Sequence, residues 1–551
     1  MQSVNIKNAG HDARLFITGP NGVRLALTLA DGRVRETVYT FGGQGANAEE
    51  LFTAGFTEKV GNLVACLGGT KLTVYPGDNA LARRILQNAD GLIRSEKGCA
   101  RAIRVADRIN AALGLAPFAV EVTDTPEPAA EQAPEKAPGA LAVNLRAGAE
   151  ACRHGIRLGI DVGGTDIKAV AFKDGRLAAV KEYDWAPAEY GTPEEITGPI
   201  LLIAGLLVAA ARAFPAIPEA LTKALEKNAS LSEMRAALES APAAGCASIG
   251  LSYPDVVIRD RIVGGETPKT KGMQLHDPAH YEDSLRKIAA LKDALSALLI
   301  PGGTLHMAND GNIAAYTAAA ELSFCEDAAL IDRGVFAHSL GTDLGTGILL
   351  GSGTFPEAPL ELYTFRTGRE EEAALALPPE DVRSARTVHS GLRGAERRVG
   401  QAAAFRYAYA LAPRLLEGYI EEADGVIRVI TAPEDKRKAL LEHLMACADA
   451  GDRDAEEVFV RIGRALADIT VEAEALLKTG TDSRYLFGRF VKRDHVFRLI
   501  ERGFEERCPG IRLVAADSAL TKSPLMCALA AAGTVTVAQF GQAVGAVYYG
   551  A

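Results

Sequence analysis

Apolar positions along this chain fall into short alternating runs, separated by stretches with a period near 3.6, the mark of strands interleaved with helices. From residue 156 the order is a strand (156–160), a strand from Ala169, a strand (178–183) and a helix over 193–213. Residues 216–240 read as an inserted helical hairpin, with Ser230 and Glu233 at capping-box spacing. A strand at 246–252, a helix at 281–299, a strand at 304–308 and a helix over 312–322 complete a first lobe. In the 281–299 helix Leu285, Ile288, Leu291, Leu295 and Leu298 share one face. A second lobe opens on a hairpin from Gly334 to Leu350 and continues through long helices at 399–420 and 435–478. It ends with a strand at 484–487, a helix near 492–507 and a strand at 511–515. The pattern predicts two α/β lobes, 151–330 with a helical insertion at 214–242 and 331–551, joined near 323–333 across a cleft.

Residues 123–139, TDTPEPAAEQAPEKAPG, are rich in Pro, Ala and Glu and hold no aromatic residue, a linker composition. A linker over 123–150 therefore separates an N-terminal unit, 1–122. That unit mixes β-type runs (Arg14 to Ile17, Lys71 to Tyr75, Phe118 to Val122) with helical stretches at 80–88 and 97–113. It reads as α/β, with no role assigned.

Composition narrows the function. Hydrophobic residues make up 48% of the chain and charged residues 24%, enough apolar surface for large cores. The net charge of −10 argues against a nucleic-acid partner, which needs a clustered basic face. The longest apolar run, Ile200 to Ala211, is shorter than the ~20 residues of a membrane span and reads as a buried helix, so no membrane partner is expected. The N-terminus shows no basic-then-apolar signal segment. None of the eight cysteines stands in a CxxC pair, so free thiols in a reducing cytoplasm are expected.

Three motifs carry chemistry. In Gly159-Ile-Asp161-Val-Gly163-Gly164-Thr165-Asp166-Ile-Lys168 an apolar strand runs into an acid beside two glycines. Such a turn lets backbone N–H groups face phosphate oxygens, and Asp161 can hold Mg²⁺ through water. Gly341-Thr342-Asp343-Leu-Gly345-Thr346-Gly347 is a second strand–turn–strand able to offer donors to the far side of a polyphosphate. Asn309-Asp310-Gly311-Asn312 follows a strand and opens a helix, where ligands bind in open α/β sheets. Asp310 can accept a proton from a substrate hydroxyl. Taken singly, the first two also fit ordinary hairpins, and Asp310 also fits a helix cap.

In this order the motifs resemble the actin–hexokinase–Hsp70 superfamily, and more narrowly the ROK family (repressors, open reading frames and sugar kinases). The resemblance covers roughly 156–551 and implies a two-lobed actin-like, ribonuclease H-like ATPase fold carrying an additional N-terminal α/β unit. It implies ATP and Mg²⁺ as cofactors, a small-molecule acceptor and Asp310 as catalytic base. Asp161, Gly163, Gly164 and Thr165 match the first phosphate motif, and Gly341, Thr342 and Gly345 the second. Asn309 and Asn312 neighbour the base at the substrate. Gly488 and Arg489, in Phe487-Gly488-Arg489-Phe490, stand where the family holds adenosine on bare glycines. The oligomeric state is open, a homodimer being one arrangement.

The chain also departs from that family. Its zinc-binding cysteines are missing, so no zinc is expected. The Glu-x-Gly-His element reads Glu361-Leu-Tyr-Thr364, with Thr364 in the place of a zinc-ligand histidine. Glu361 stays, and Glu396 falls in the place of a sugar-contacting glutamate. Asp343 replaces a family glycine, and Arg489 puts a cation beside the adenine. The leading expectation is phosphoryl transfer to a hydroxyl of a sugar or sugar derivative. The alternatives are a ligand sensor on the same fold and an ATPase that activates a partner. No basic helix-turn-helix shows in 1–122, against a DNA-binding repressor. No pair of cluster cysteines lies between the lobes, against an iron–sulfur activator.

Overall fold

The structure, a computed structural model, describes residues 22–41, 47–95, 99–125, 141–325, 328–341, 344–367, 378–379, 394–516, 520–533 and 537–551. Two compact units divide the chain: Met1–Val64 with Gly68–Ala133, and Pro134–Ala551 with Ala65–Leu67.

In the first unit β1 (Gly22–Thr28) pairs antiparallel with β2 (Val34–Thr40) and with β3 (Lys71–Tyr75), and β3 pairs parallel with β4 (Ala119–Val122). The sheet order is β2-β1-β3-β4. Helices α1 (Ala48–Leu67) and α2 (Ala100–Leu113) make the crossovers. Phe52 and Phe56 of α1 stack 6.1 Å apart, and the Tyr39 ring meets Phe52 edge-on at 5.4 Å. The expected α/β character holds. The strand expected at 14–17 lies outside the described residues.

The second unit begins with α3 (Leu141–Ala151), whose Leu141 and Leu145 are buried in its core. The linker expected over 123–150 therefore stops short of residue 141, because an apolar stripe begins there. A meander follows: β5 (Ile156–Val162), β6 (Asp166–Lys173) and β7 (Arg176–Asp184), each antiparallel to the next. Helix α4 (Pro193–Ala213) starts on a Thr192/Glu195 capping box with Pro193 at its first position. It is long and apolar enough to cross a membrane, yet 67% of its most apolar window is buried inside the fold. Helices α5 (Glu219–Leu225) and α6 (Leu231–Glu239) form the insertion, and Ser230 and Glu233 make the expected capping box. β8 (Cys246–Tyr253) then lies parallel to β5.

After the small ribbon β9 (Val257–Ile258) and β10 (Arg261–Ile262) come α7 (Tyr281–Ala289) and α8 (Leu291–Ser296). The single helix expected over 281–299 breaks at Ala290, although Leu285, Ile288, Leu291 and Leu295 share a buried face as expected. That stripe runs unbroken across the bend, so periodicity alone misses it. β11 (Leu299–Asn309) pairs parallel with β8 and leads into α9 (Asp310–Leu322). The first sheet thus has the order β11-β8-β5-β6-β7, an antiparallel meander with two parallel strands added to its first member.

The second lobe repeats the plan. β12 (Gly334–Leu340) and β13 (Leu344–Leu350) form a hairpin, and a shorter helix than expected, α10 (Gln401–Leu411), stops before Pro413. The hairpin β14 (Ile420–Ala423) and β15 (Val426–Val429) turns at Asp424-Gly425, a two-residue signal in the stretch left unassigned between the helices expected at 399–420 and 435–478. The helix expected over 435–478 is two, α11 (Arg437–Asp449) and α12 (Arg453–Leu477). Gly451, at φ 83°, ends one, and Asp452 caps the next by accepting from the N–H groups of Asp454 and Ala455. β16 (Ser483–Gly488) lies parallel to β12, and β17 (Arg512–Ala515) parallel to β16, with α13 (Asp494–Glu505) between them. The order β13-β12-β16-β17 is again a hairpin plus two parallel strands. This duplicated plan is the two-lobed, actin-like (ribonuclease H-like) fold.

The last helices, α14 (Pro524–Ala531) and α15 (Val537–Gly550), correct the boundary expected at 331–551. α15 returns to the first sheet, packing on β5 and β8 and against α9. A Cβ at Gly250 of β8 would lie 1.7 Å from the Ala546 carbonyl oxygen. Gly250→Ala should therefore destabilise the second unit by roughly 1–3 kcal/mol, as overpacking does. Gly148→Ala on α3, which meets nothing within 4 Å, should be neutral or slightly stabilising. Thermal unfolding of both variants checks the pair, and equal midpoints would refute the packing.

Candidate active site

The turn after β5 closes because it has no side chain in the way. The Gly163 N–H donates to the Asp166 carbonyl (2.8 Å), and a Cβ on Gly163 would lie 2.9 Å from that oxygen. The Trp185 indole N–H donates to the Gly163 carbonyl (3.0 Å), pinning the turn from the end of β7. Asp161 and Lys168 are cross-strand partners on this hairpin. Asp161 Oδ1 accepts from the Ser252 hydroxyl (2.7 Å) on β8. Gln542 of α15 donates to Ser252 Oγ (3.3 Å) and to the Asp310 carbonyl (2.6 Å). Burial pushes the Asp161 carboxyl up to about 7, the Asp310 and Asp166 carboxylates adding to the rise and Ser252 and Lys168 opposing it.

Opposite this turn stands the second lobe. Gly341 ends the β12 side of its hairpin, and its carbonyl accepts from the Gln401 N–H (2.9 Å) at the start of α10. β16 ends at Gly488, φ 106°, where a Cβ would lie 2.2 Å from the Leu340 carbonyl oxygen, so only glycine fits. Arg489 follows, its guanidinium 3.9 Å from Glu442. Together these walls enclose a cleft of about 540 Å³, lined on the first lobe by Asp161, Thr165 and Lys168 and on the second by Gly341, Gly488 and Arg489 among others. Five cations line it (Lys168, Arg437, Lys438, Arg489, Lys492) against two carboxylates, Asp161 and Asp435. Helices α10 and α11 both begin there, adding the positive ends of their dipoles. Lys168, Arg437 and Arg489 have carboxylate neighbours in Asp166, Asp435 and Glu442, and the remaining positive charge with the two helix starts suits an anionic ligand.

Beside the Gly163–Gly164 turn, α9 opens a second polar group. Asn309 Oδ1 accepts from the Gly311 N–H (2.9 Å) as a helix cap, and its Nδ2 donates to the Asp255 carbonyl (2.9 Å). Asn312 Oδ1 accepts from the Ile348 N–H (3.1 Å) of β13. Burial pushes the Asp310 carboxyl up, and the Lys269 ammonium is the charge that opposes most. The Lys269 Cε would be 3.4 Å from a Cβ on Gly164, so this lysine reaches from the Asp310 group to the Gly163–Gly164 turn. Asp255 and Glu361 converge on Gly265, where a Cβ would lie 2.9 and 3.2 Å from their oxygens. A third acidic group, Asp166, Glu182 and Asp184, is already paired with Lys168 (2.6 Å) and Lys227 (2.7 and 3.2 Å).

No protein-family model and no curated protein matches this sequence. Among solved structures it is similar to a ROK family glucokinase from Streptomyces griseus in complex with glucose and AMPPNP: 19% identity, 68% of this chain and 99% of that one, TM-score 0.39. A ROK hexokinase from Thermus thermophilus follows at 16% identity, 68% and 97% coverage and TM-score 0.37. A glucokinase from Leishmania braziliensis stands at 16%, 72% and 98%, and 0.35. The chain is similar to ROK-family sugar kinases. Likeness this distant decides nothing about chemistry, and the fold rests on the strand order above.

Of the residues expected at the site, Asp161, Thr165, Gly341, Gly488 and Arg489 line the cleft. Gly163 and Gly164 shape its turn, while Gly345 pairs with Ser339 inside the β12–β13 hairpin. Asp310, Asn309 and Glu361 gather with Asp255 and Lys269, whereas Asn312 is spent on the β13 backbone. Thr364 bonds back to the Glu361 carbonyl (2.8 Å), closing its own turn. Thr342, Asp343 and the Glu396 side chain lie outside the described residues. Sequence reasoning missed Asp255, Lys269, Lys168, Gln542 and the basic start of α11. The first two follow β8 in Tyr253-Pro-Asp255 and Pro268-Lys269, whose signal is only an acid at a strand's end and a lysine in a loop.

The Asp161 shift sets a pH dependence. Its carboxyl is raised from 3.8 to about 7 in the fold, so the stability it contributes is full at low pH and is lost as pH rises through about 7. Asp161→Asn removes that titration. The variant's melting temperature relative to wild type should therefore climb between about pH 5 and about pH 8. A difference independent of pH would mean that Asp161 is ionised throughout.

Proposed function

We propose that the protein is an ATP- and Mg²⁺-dependent kinase acting on a hydroxyl of a small molecule, a sugar or sugar derivative, in the cytoplasm. One observation carries this reading. Residues from three distant stretches, Asp161 and Thr165, Gly341, and Gly488 with Arg489, line one cationic cleft beside the Asp310 group.

In this reading the N–H groups around Gly163–Thr165 and Gly341, with Lys168, hold the β- and γ-phosphates, and Arg489 and Lys492 border the adenosine. Asp310 takes the proton from the acceptor hydroxyl; its raised proton affinity brings it nearer working pH, which suits a general base. Lys269 offsets the negative charge carried toward the acceptor. The Asp310 carboxylate raises the hold of Asp161 on its proton, and such hard oxygen donors fit a divalent cation in the proton's place. Mg²⁺, when bound, neutralises the phosphate oxygens, and Asp161 is the residue that would hold it, through water.

Calorimetric titration with Mg·ATP, followed by ADP release with a panel of sugars, tests the reading. Nucleotide binding without transfer to any hydroxyl would leave the partner-activating ATPase; no nucleotide binding would sink the kinase and ATPase readings together and leave the ligand sensor. Asp310→Asn should lower turnover by roughly 10²–10⁴-fold while nucleotide affinity stays unchanged. Retained turnover would reduce Asp310 to a helix residue. Arg489→Gly should weaken nucleotide binding by roughly tenfold, the scale of one charge-assisted contact. Tighter binding in that variant would show that the arginine obstructs the adenine.

A further inference from the structure

Asp255 is 2% exposed, and only one of its carboxylate oxygens is used by the fold. Oδ1 accepts from the N–H groups of Val256 (2.7 Å) and Gly265, closing the loop that follows β8. Oδ2 is buried and accepts nothing. Buried polar atoms are almost always paired, so an orphaned carboxylate oxygen calls for a donor. An asparagine would close this loop equally well; the second oxygen and the charge are surplus to it.

The surroundings say where that donor comes from. The Asp255 carbonyl accepts from Asn309, the residue before Asp310, and Lys269 acts electrostatically on both aspartates. Glu361 stands on the other side of Gly265, where a Cβ would lie 2.9 Å from Asp255 Oδ1 and 3.2 Å from Glu361 Oε1, so the bare glycine lets the two carboxylates approach each other. We propose that Asp255 is a substrate-binding residue, its Oδ2 accepting a hydrogen bond from a hydroxyl of the acceptor other than the one phosphorylated. This rests on the kinase reading above. An acceptor with one hydroxyl can satisfy Asp310 or Asp255 but not both, so the site selects a polyol.

The test uses the full chain and Asp255→Asn, which keeps the Oδ1 acceptor and turns Oδ2 into a donor. Glucose, mannose and their 2-amino and N-acetyl derivatives are titrated calorimetrically, and the members that bind are assayed for turnover. The sugar's Kd and KM should rise at least ~10-fold with a smaller fall in kcat, while the Kd for Mg·ATP stays within about twofold. An unchanged sugar Kd in a folded variant overturns the proposal, as does an equal loss of Mg·ATP affinity. So does a wild type that binds none of these sugars. Sugar binding without transfer would sink the kinase reading, and the effect of Asp255→Asn on Kd would still decide this one. Should the variant fail to fold, mono-deoxy analogues of the sugar that binds carry the test on the wild type: loss of one hydroxyl other than the phosphorylated one should raise the Kd at least ~10-fold, and undiminished binding of every such analogue overturns the proposal.

Discussion

Backbone meets backbone where the first turn of α9 crosses β13, and the site depends on that crossing. A Cβ at Gly311 would lie 2.1 Å from the Thr346 carbonyl oxygen, and one at Gly347 would lie 1.8 Å from the Gly311 carbonyl oxygen. Neither position can carry a side chain. Asn312 secures the crossing by accepting from the Ile348 N–H. Asp310 stands one residue before Gly311, so it is fixed to the first sheet through β11 and to the second through β13. The rest of α9 serves the same end. Ala314, Ala315, Ala318, Ala319 and Ala320 are all buried, and such small side chains let one helix lie close to both sheets.

The glycines explain why the motifs were legible. A strand, an acid and a glycine pair leave few conformations open, and the turn at Gly163 and the end of β16 at Gly488 formed where the sequence placed them. Capping boxes at Thr192 and Ser230 fixed their helix starts in the same local way. Helix ends were harder. The breaks at Ala290 and Gly451 interrupt apolar stripes that continue on the far side, and the hairpin at Asp424-Gly425 has strands of only four residues each. Long-range returns were illegible altogether. Nothing in Val537–Gly550 announces that it packs on strands some 300–400 residues earlier, because that fit lies in the bare surface of Gly159 and Gly250.

The same limit decided which site residues could be read. Asp161 and Asp310 sit in motifs whose spacing is local. Asp255 and Lys269 become partners of Asp310 only because β8 and β11 are adjacent and parallel, which brings their C-terminal ends together. Two acids and a lysine scattered over 56 residues carry no sequence period. Once the sheet forms they share one field, and each aspartate's proton affinity rises through its own burial while one ammonium holds it down.

Charge is therefore divided along the site rather than balanced at each point. Carboxylates crowd the first-lobe end, where burial and mutual repulsion raise their proton affinity. Cations and helix N-termini crowd the second-lobe end. Gln542 of α15 links the two aspartates, donating to the Asp310 backbone carbonyl and to the Ser252 hydroxyl, which in turn donates to the Asp161 carboxylate. A polyanion entering between them finds its countercharge on one wall and, on the other, groups that favour a proton or a cation over an anion. In the proposed kinase that asymmetry would orient a phosphate chain before any specific contact forms, the end needing a metal being drawn to the acids and the rest to the lysines and arginines.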